Sequence, residues 1–323
     1  MPPVTDRIVD HFDCHDPGGV VGVYLYGSSI AGGLRHESDV DLLVVSRRSL
    51  STPERCVITD LLLRYSGRRA TVEPGRPVEL TSVVHSELTP WSYPPRCDYQ
   101  YGEWLREEIT AGQLPAAHPD PDLAILLAAA RSASEPLRGP ALDQIIDPAP
   151  TADLRRAIRD SLQPLLGYLE GDERNVLLTL ARMVVTLETG EIVPKDEAAR
   201  RVMSGLSQGC REVLNLARRG YLGEAADDWT HLRDQARETA DCLASPYSRA
   251  VSPRSVRSWL TRAARSVTAA TQPDHREGTS VVDGQLPTGG GRVPMAATRH
   301  RRRVHRDRRA AGRRHVRGRA AAV

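Results

Sequence analysis

Two aspartates and a glycine-serine turn are the residues here whose types and spacing can do chemistry. In Tyr26-Gly27-Ser28-Ser29 an apolar run ends on a glycine, which permits a tight turn and close backbone approach to a ligand. Ser28 then supplies a hydroxyl at an expected helix start, where free N–H groups favour phosphate. A short connection later, Ser38-Asp39-Val40-Asp41 opens a second apolar run. In a strand, side chains two apart share a face, so both carboxylates project the same way while Val40, Leu42 and Val44 fill the other. Adjacent carboxylates repel unless a cation sits between them, and Mg²⁺ takes one or two carboxylates together with substrate phosphate oxygens. A phosphate cradle facing a carboxylate pair therefore points to metal-assisted phosphoryl or nucleotidyl transfer. A third carboxylate, as metal ligand or base, is expected nearby. Glu79, a charge inside the apolar run Pro77-Val78-Glu79-Leu80-Thr81, is the candidate. Singly, each feature has a plain structural reading: a surface turn, a solvated strand edge, the wet face of a sheet. Their combination in this order is what carries the signal. Neither a G-x-G-x-x-G fingerprint nor a GK[ST] phosphate loop occurs.

The elements that must position these groups read as follows. Residues 1–118 alternate β-rich runs (Val20–Tyr26, Val40–Val45, Pro77–Val84) with a helix that opens at Ser51-Thr52-Pro53-Glu54 and runs to Tyr65. The segment Thr89–His118 concentrates aromatics: Trp91, Tyr93, Tyr99, Tyr101 and Trp104. From Asp120 the period becomes helical, over Leu123–Arg131, Asp153–Leu166, Glu173–Thr189, Glu197–Leu206, Glu212–Arg219 and Ala225–Leu243. Gly190, Gly209 and Gly220 supply stops. The expected architecture is α+β: an N-terminal domain over 1–118 with a mixed sheet and helices, an all-α helical bundle over 119–252, and an extension over 253–323. Val256–Ala270 has the pattern of one more helix. Beyond about residue 272 the composition predicts disorder.

Charge and composition exclude other classes. The chain has 323 residues and a formal charge of +3. That average conceals an arginine block from Arg299 to Val323, with eleven arginines against the single acid Asp307, and an acidic remainder at −7. A basic tail of this kind raises nucleic-acid binding as an alternative function, disfavoured here because no aromatics interleave the arginines. The longest apolar stretch, Leu123–Ala130, is too short to span a membrane. The N-terminus is acidic where a secretory signal is basic. Five widely spaced cysteines without a CxxC pair indicate neither a disulfide framework nor a zinc ribbon, and His11, Cys14 and His15 read as surface chemistry near a helix end. A reduced, cytoplasmic enzyme is expected. Lys195 is the only lysine beside 43 arginines.

At its GS…D-x-D segment the chain resembles the nucleotidyltransferase superfamily. Arg76–Val84, Pro90-Trp91-Ser92-Tyr93-Pro94, Tyr101-Gly102-Glu103-Trp104, Gly171-Asp172-Glu173-Arg174-Asn175, Pro194-Lys195-Asp196 and Ala217–Gly223 narrow the resemblance. Across about residues 8–250 it is to the aminoglycoside (3'')(9)-adenylyltransferases. The resemblance implies that AMP passes from ATP to a hydroxyl of a cationic aminocyclitol drug, releasing pyrophosphate. It implies that Gly27, Ser28 and Ser38 cradle the triphosphate, and that Asp39 and Asp41, with Glu79, hold Mg²⁺. Glu79 would also be the general base. Arg182, Lys195 and Tyr221 would touch the nucleotide, and Trp104, Asp172 and Asn175 the drug, in a cleft between domains of a monomer. The −7 body suits a polycationic drug. One departure stands out: where streptomycin-accepting members carry an aspartate four positions before Asp172, this chain has Tyr168. Spectinomycin needs less of that pocket. The alternative within the superfamily is another acceptor, either a small molecule or a protein.

Overall fold

A computed structural model describes residues 3–30, 39–67, 76–226 and 228–248. The chain opens with α1 (Pro3–His15), followed by β1 (Val20–Tyr26), β2 (Val40–Ser46), α2 (Thr52–Tyr65), β3 (Val78–Val84), α3 (His85–Leu88), β4 (Arg96–Cys97) and β5 (Tyr99–Tyr101). Then come α4 (Arg106–Thr110), β6 (His118–Pro119), α5 (Pro121–Ser132) and β7 (Ser134–Arg138). Five helices complete it: α6 (Thr151–Leu166), α7 (Glu173–Thr189), α8 (Lys195–Val202), α9 (Gln208–Tyr221) and α10 (Arg233–Ser248).

One five-stranded mixed sheet, in the order β5-β3-β2-β1-β7, holds the first half together. β2 and β3 are parallel, and the other pairings are antiparallel. The parallel pair needs a crossover, and α2 supplies it. Local chemistry fixes where α2 begins. The Ser51 amide donates to Glu54 Oε2 at 2.7 Å, the Gly18 amide donates to Glu54 Oε1 at 2.9 Å, and Arg48 pairs with the same carboxylate at 2.8 Å. These donors hold Glu54 well below the usual carboxylate range, the Arg48 hydrogen bond contributing most.

The period-2 alternation of the strands divides the apolar side chains between two faces. Val40, Leu42, Val44, Val78 and Leu80 pack beneath Val4, Ile8 and Phe12 of α1 and Ile58 and Leu62 of α2. Tyr24, Tyr26, Leu43, Val45 and Val83 face the other way, against Leu123, Leu126, Leu127 and Ala130 of α5. A third core joins α6 to α10, and Trp91 packs against both this core and the α5 side of the sheet.

The structure alters several sequence expectations. The sheet receives its outer strand β7 from residues 134–138, so the chain re-enters the sheet beyond the boundary expected at 118. The strand SEPLR has no β pattern of its own, and pairing to β1 imposes its conformation. Of α1 only an end near His11–His15 was expected; Val4, Ile8 and Phe12, recurring at helical spacing, give the whole helix its apolar face. The helix expected over Ala225–Leu243 starts only at Arg233. Ahead of it, the Asp228 carboxylate accepts from the Thr230 amide at 2.9 Å, a local turn that competes with helix. Ser28 sits in a single 3₁₀ turn over Gly27–Ser29. The helix expected at 256–270 and the arginine block lie outside the described residues. Among the described residues no helix is long and apolar enough to cross a membrane.

One half-buried carboxyl is a liability. Oε1 of Glu188 on α7 is buried without a hydrogen-bond partner among the described residues, and burial pushes the carboxyl up to about 7. The native state therefore holds a proton that the unfolded chain releases between pH 4.5 and 7, and stability falls as pH rises through that window. Glu188→Gln is expected to raise stability by about 1–2 kcal/mol at pH 8, discounted for partial exposure. The gain should shrink towards zero below pH 4.5. Thermal melts across that range check both statements.

Candidate active site

β1 delivers the chain to Tyr26, opposite Asp41 in the β1–β2 ladder. Gly27 follows with φ +72°, a left-handed conformation that favours glycine. The turn is closed by the Ile30 amide donating to the Gly27 carbonyl at 3.2 Å and the Ser29 hydroxyl donating to the Tyr26 carbonyl at 2.8 Å. The carboxylate of Asp41 packs directly against the Gly27 α-carbon: an added methyl would overlap Oδ2 and lie 2.9 Å from Cγ. Ser28 is partly exposed at the lip of this turn, and Ser38 lies outside the described residues.

In the parallel β2–β3 pairing, Asp41 and Glu79 are register partners. Register partners share a face, so the two carboxylates stand abreast, and Asp39 immediately precedes β2. This is the face towards α5 and the helical half, because Leu43 and Val45 continue it into that core. Asp41 is 8% exposed and Glu79 3%. Among the described residues no group of three or more His, Cys, Asp or Glu side chains forms a ready-made cation cage. The carboxylates suit a hard cation that draws its remaining ligands from phosphate and water, as Mg²⁺ does.

The cations come from the helical half. Arg182, on α7, has Nε and Nη2 buried without a hydrogen-bond partner among the described residues. Burial pushes its guanidinium down to about 10, opposed by Tyr221 at the end of α9 and by Asp41. Lys195 begins α8 and is 9% exposed. Burial pushes its ammonium down to about 8, the neighbouring Arg182 adds to this, and Asp172, Glu79 and Asp41 oppose it. The sole lysine, Arg182, Tyr221, Asp172 and both strand carboxylates thus share one electrostatic neighbourhood, built from β2, β3 and the helices α7 to α9. Two desolvated cations side by side call for an anion between them.

Asp172 precedes α7 and accepts from Asn175 Nδ2 at 2.7 Å, which orients its carboxylate. Trp104 lies on a turn just after β5, the strand beside β3. Tyr168 packs against the helical core. Gly102, at the end of β5, lies against the Trp104 indole: a β-carbon there would fall inside 3.0 Å of the ring.

Comparison with known proteins accords with this geometry. Residues 7–100 match the nucleotidyltransferase domain family, and residues 144–245 match the C-terminal domain of aminoglycoside adenylyltransferases. A spectinomycin 9-adenylyltransferase of Staphylococcus aureus is 48% identical over 213 residues, 66% of this chain and 82% of that protein. An aminoglycoside (3'')(9) adenylyltransferase of Escherichia coli is 42% identical over 235 residues, 72% of this chain and 89% of that protein. The crystal structure of an enterococcal spectinomycin adenyltransferase with ATP and spectinomycin superposes with a TM-score of 0.71 at 31% identity, covering 76% of this chain and 97% of that one. A nucleotidyltransferase domain followed by this C-terminal domain, at such identity over most of the relatives' length, places the chain in the aminoglycoside adenylyltransferase family.

Proposed function

We propose that this chain transfers AMP from ATP to the 9-hydroxyl of spectinomycin, with pyrophosphate leaving. The observation that carries the reading is the carboxylate pair Asp41–Glu79 facing the buried cations Arg182 and Lys195. A triphosphate fills the space between such cations, and its α-phosphorus then lies against the carboxylates. Gly27 and Ser28 cradle the phosphates. Arg182 and Lys195 bind the triphosphate and neutralise the charge that develops on pyrophosphate. Tyr221, close enough to influence Arg182, borders the nucleotide. Asp39 and Asp41, with Glu79, would hold Mg²⁺, which when bound supplies further charge neutralisation at the phosphates.

The acceptor hydroxyl attacks the α-phosphorus in line, and Glu79 takes its proton. A glutamate is a weak base at neutral pH, so its contribution comes from placement as much as basicity. Asp172, oriented by Asn175, meets an ammonium of the drug, and Trp104 lines the drug pocket. With Tyr168 in the helical core, the streptomycin 3''-hydroxyl is the poorer acceptor.

Purified protein incubated with ATP, Mg²⁺ and each drug separately tests this by mass spectrometry. Adenylyl-spectinomycin with stoichiometric pyrophosphate is the expected product. Consumption of ATP without a modified drug would point to a different acceptor.

The depressed Lys195 gives a pH signature. Its ammonium is charged below about pH 8 and neutral above it. Affinity for the triphosphate should therefore fall as pH rises through 8, with the KM for ATP climbing by up to about tenfold per unit. Lys195→Arg keeps its charge and is expected to flatten the profile. A KM for ATP that is level from pH 7 to 9.5 in the parent protein would remove Lys195 from the phosphate site.

A further inference from the structure

Two thiols lie in contact in the helical half, away from the carboxylates and cations described above. Cys210 sits in the first turn of α9 and Cys242 in the middle of α10. The Cys210 thiol donates to Cys242 Sγ at 3.4 Å. The two helices pack on each other, with Val213, Leu214 and Ala217 of α9 and Ala236, Ala240 and Leu243 of α10 in one core. All five cysteines are free, and adenylyl transfer calls for none of them.

A disulfide holds its sulfurs about 2.05 Å apart, so this pair has roughly 1.4 Å to close. Shared between two side chains, that is a rotation each can supply about its own Cα–Cβ bond. The backbone under Cys210 is already fixed, because Ser207 caps α9 by accepting from the Cys210 amide at 3.3 Å.

One of the two thiols can be reached from solvent. Cys210 is buried, but Cys242 is partly exposed. It lines a cleft of about 660 Å³ together with Ser207, Asp234, Arg237, Glu238 and Asp241. A small molecule in this cleft meets Cys242 first, with Cys210 behind it. Burial pushes the Cys242 thiol up to about 12, and the Cys210 hydrogen bond and the charges of Glu238 and Asp241 add to this. The thiol therefore stays protonated at neutral pH, and the pair rests as a dithiol until a disulfide is supplied.

We propose that Cys210 and Cys242 form a modification site: a dithiol that a small disulfide entering the cleft converts into an α9–α10 cross-link, latching α10 to the helix that carries Tyr221. The Cys242 sulfur sheds its proton and attacks one sulfur of the reagent. The bond from Cys242 to the reagent forms, the reagent's own S–S bond breaks, and the released thiol takes up the proton. The Cys210 sulfur then attacks Cys242 and displaces the other half of the reagent as a second thiol. Two protein thiols are oxidised and one disulfide is reduced to two thiols. Cys210 and Cys242 stand 32 positions apart, so the bond closes a long loop of the unfolded chain and stabilises the native state by that restriction. Tyr221 lies about three turns of α9 beyond Cys210, so the latch leaves the nucleotide site in place.

Cystamine, a small disulfide whose ammonium groups suit the acidic rim, is the probe. The folded full-length protein is treated with it, then denatured, alkylated and digested with trypsin without reductant. The two cysteines fall on separate peptides, 202–211 and 238–249. These should appear joined, lighter than their sum by two hydrogens. Cys210→Ala should stop at a cysteamine cap on Cys242, because nothing is left to displace it. Free thiols at both positions of the parent protein, or a cap on Cys242 that persists there, would overturn the site. An uncapped Cys242 in Cys210→Ala would overturn entry by the cleft. The cross-linked protein should melt about 5–10 °C above the same sample reduced with dithiothreitol. Cys242→Ala should show no such difference. A bond that forms without raising the melting temperature would overturn the latch. None of these readouts needs a substrate, so they stand or fall apart from the adenylyl-transfer reading.

Discussion

Glu79→Gln is expected to lower adenylyl transfer by about 10²–10⁴-fold while the protein remains folded and binds ATP. The amide has nearly the volume of the carboxyl group, so a side chain only 3% exposed can be replaced without opening a cavity. It cannot take a proton from the attacking hydroxyl. Loss confined to kcat marks an interaction made in the transition state, whereas a raised KM for ATP would mark a binding role. Glu79 stands abreast of Asp41, so a ligand role for the same carboxylate must be separated from the base role. Titration with Mg²⁺ does this. A missing base leaves the half-saturating concentration unchanged, and a missing ligand raises it. Turnover close to that of the parent protein would remove Glu79 from the reaction altogether.

Why Glu79 was legible, and other residues were not, follows from the kind of information each needs. The carboxylates sit in strands whose apolar alternation fixes both element and face. Val20–Tyr26 was read with its observed bounds, and β2 and β3 to within a residue. Period 2 alone then sets the face of Asp41, opposite to that of Val40, Leu42 and Val44. That Asp41 and Glu79 are register partners was not readable, because a parallel register depends on how α2 packs rather than on either strand. Lys195 could be singled out by its rarity in an arginine-rich chain. Its approach to Arg182 required the α7–α8 packing. β7 was missed because Ser134–Arg138 contains a proline and no alternating apolar residues, and only its partner β1 makes it a strand. The contact of Gly102 with Trp104 was unreadable for a different reason. A glycine in extended backbone announces no turn, and its meaning appears only when the neighbouring indole is seen over it.

Gly27→Ala should damage the enzyme more than its size suggests, for two separable reasons. The first is conformational: φ +72° places an alanine in the left-handed region, costing about 1–2 kcal/mol. The second is steric and falls on the chemistry. The new methyl overlaps Asp41 Oδ2, so the carboxylate must move although it is 8% exposed and flanked by Tyr26 and Glu79 in the ladder. A displacement of about an ångström in a group that positions the reacting phosphate costs on the order of 10²-fold in rate. Gly190 provides the control. It has φ +78°, and a methyl there would meet nothing within 4 Å. Gly190→Ala should lose a comparable amount of stability in thermal melts and keep its activity. Gly27→Ala should lose that stability and about two orders of magnitude in kcat, with a raised requirement for Mg²⁺. If the two variants lost stability and activity in parallel, Gly27 would be no more than a turn residue, and the contact between its α-carbon and Asp41 would have no part in catalysis.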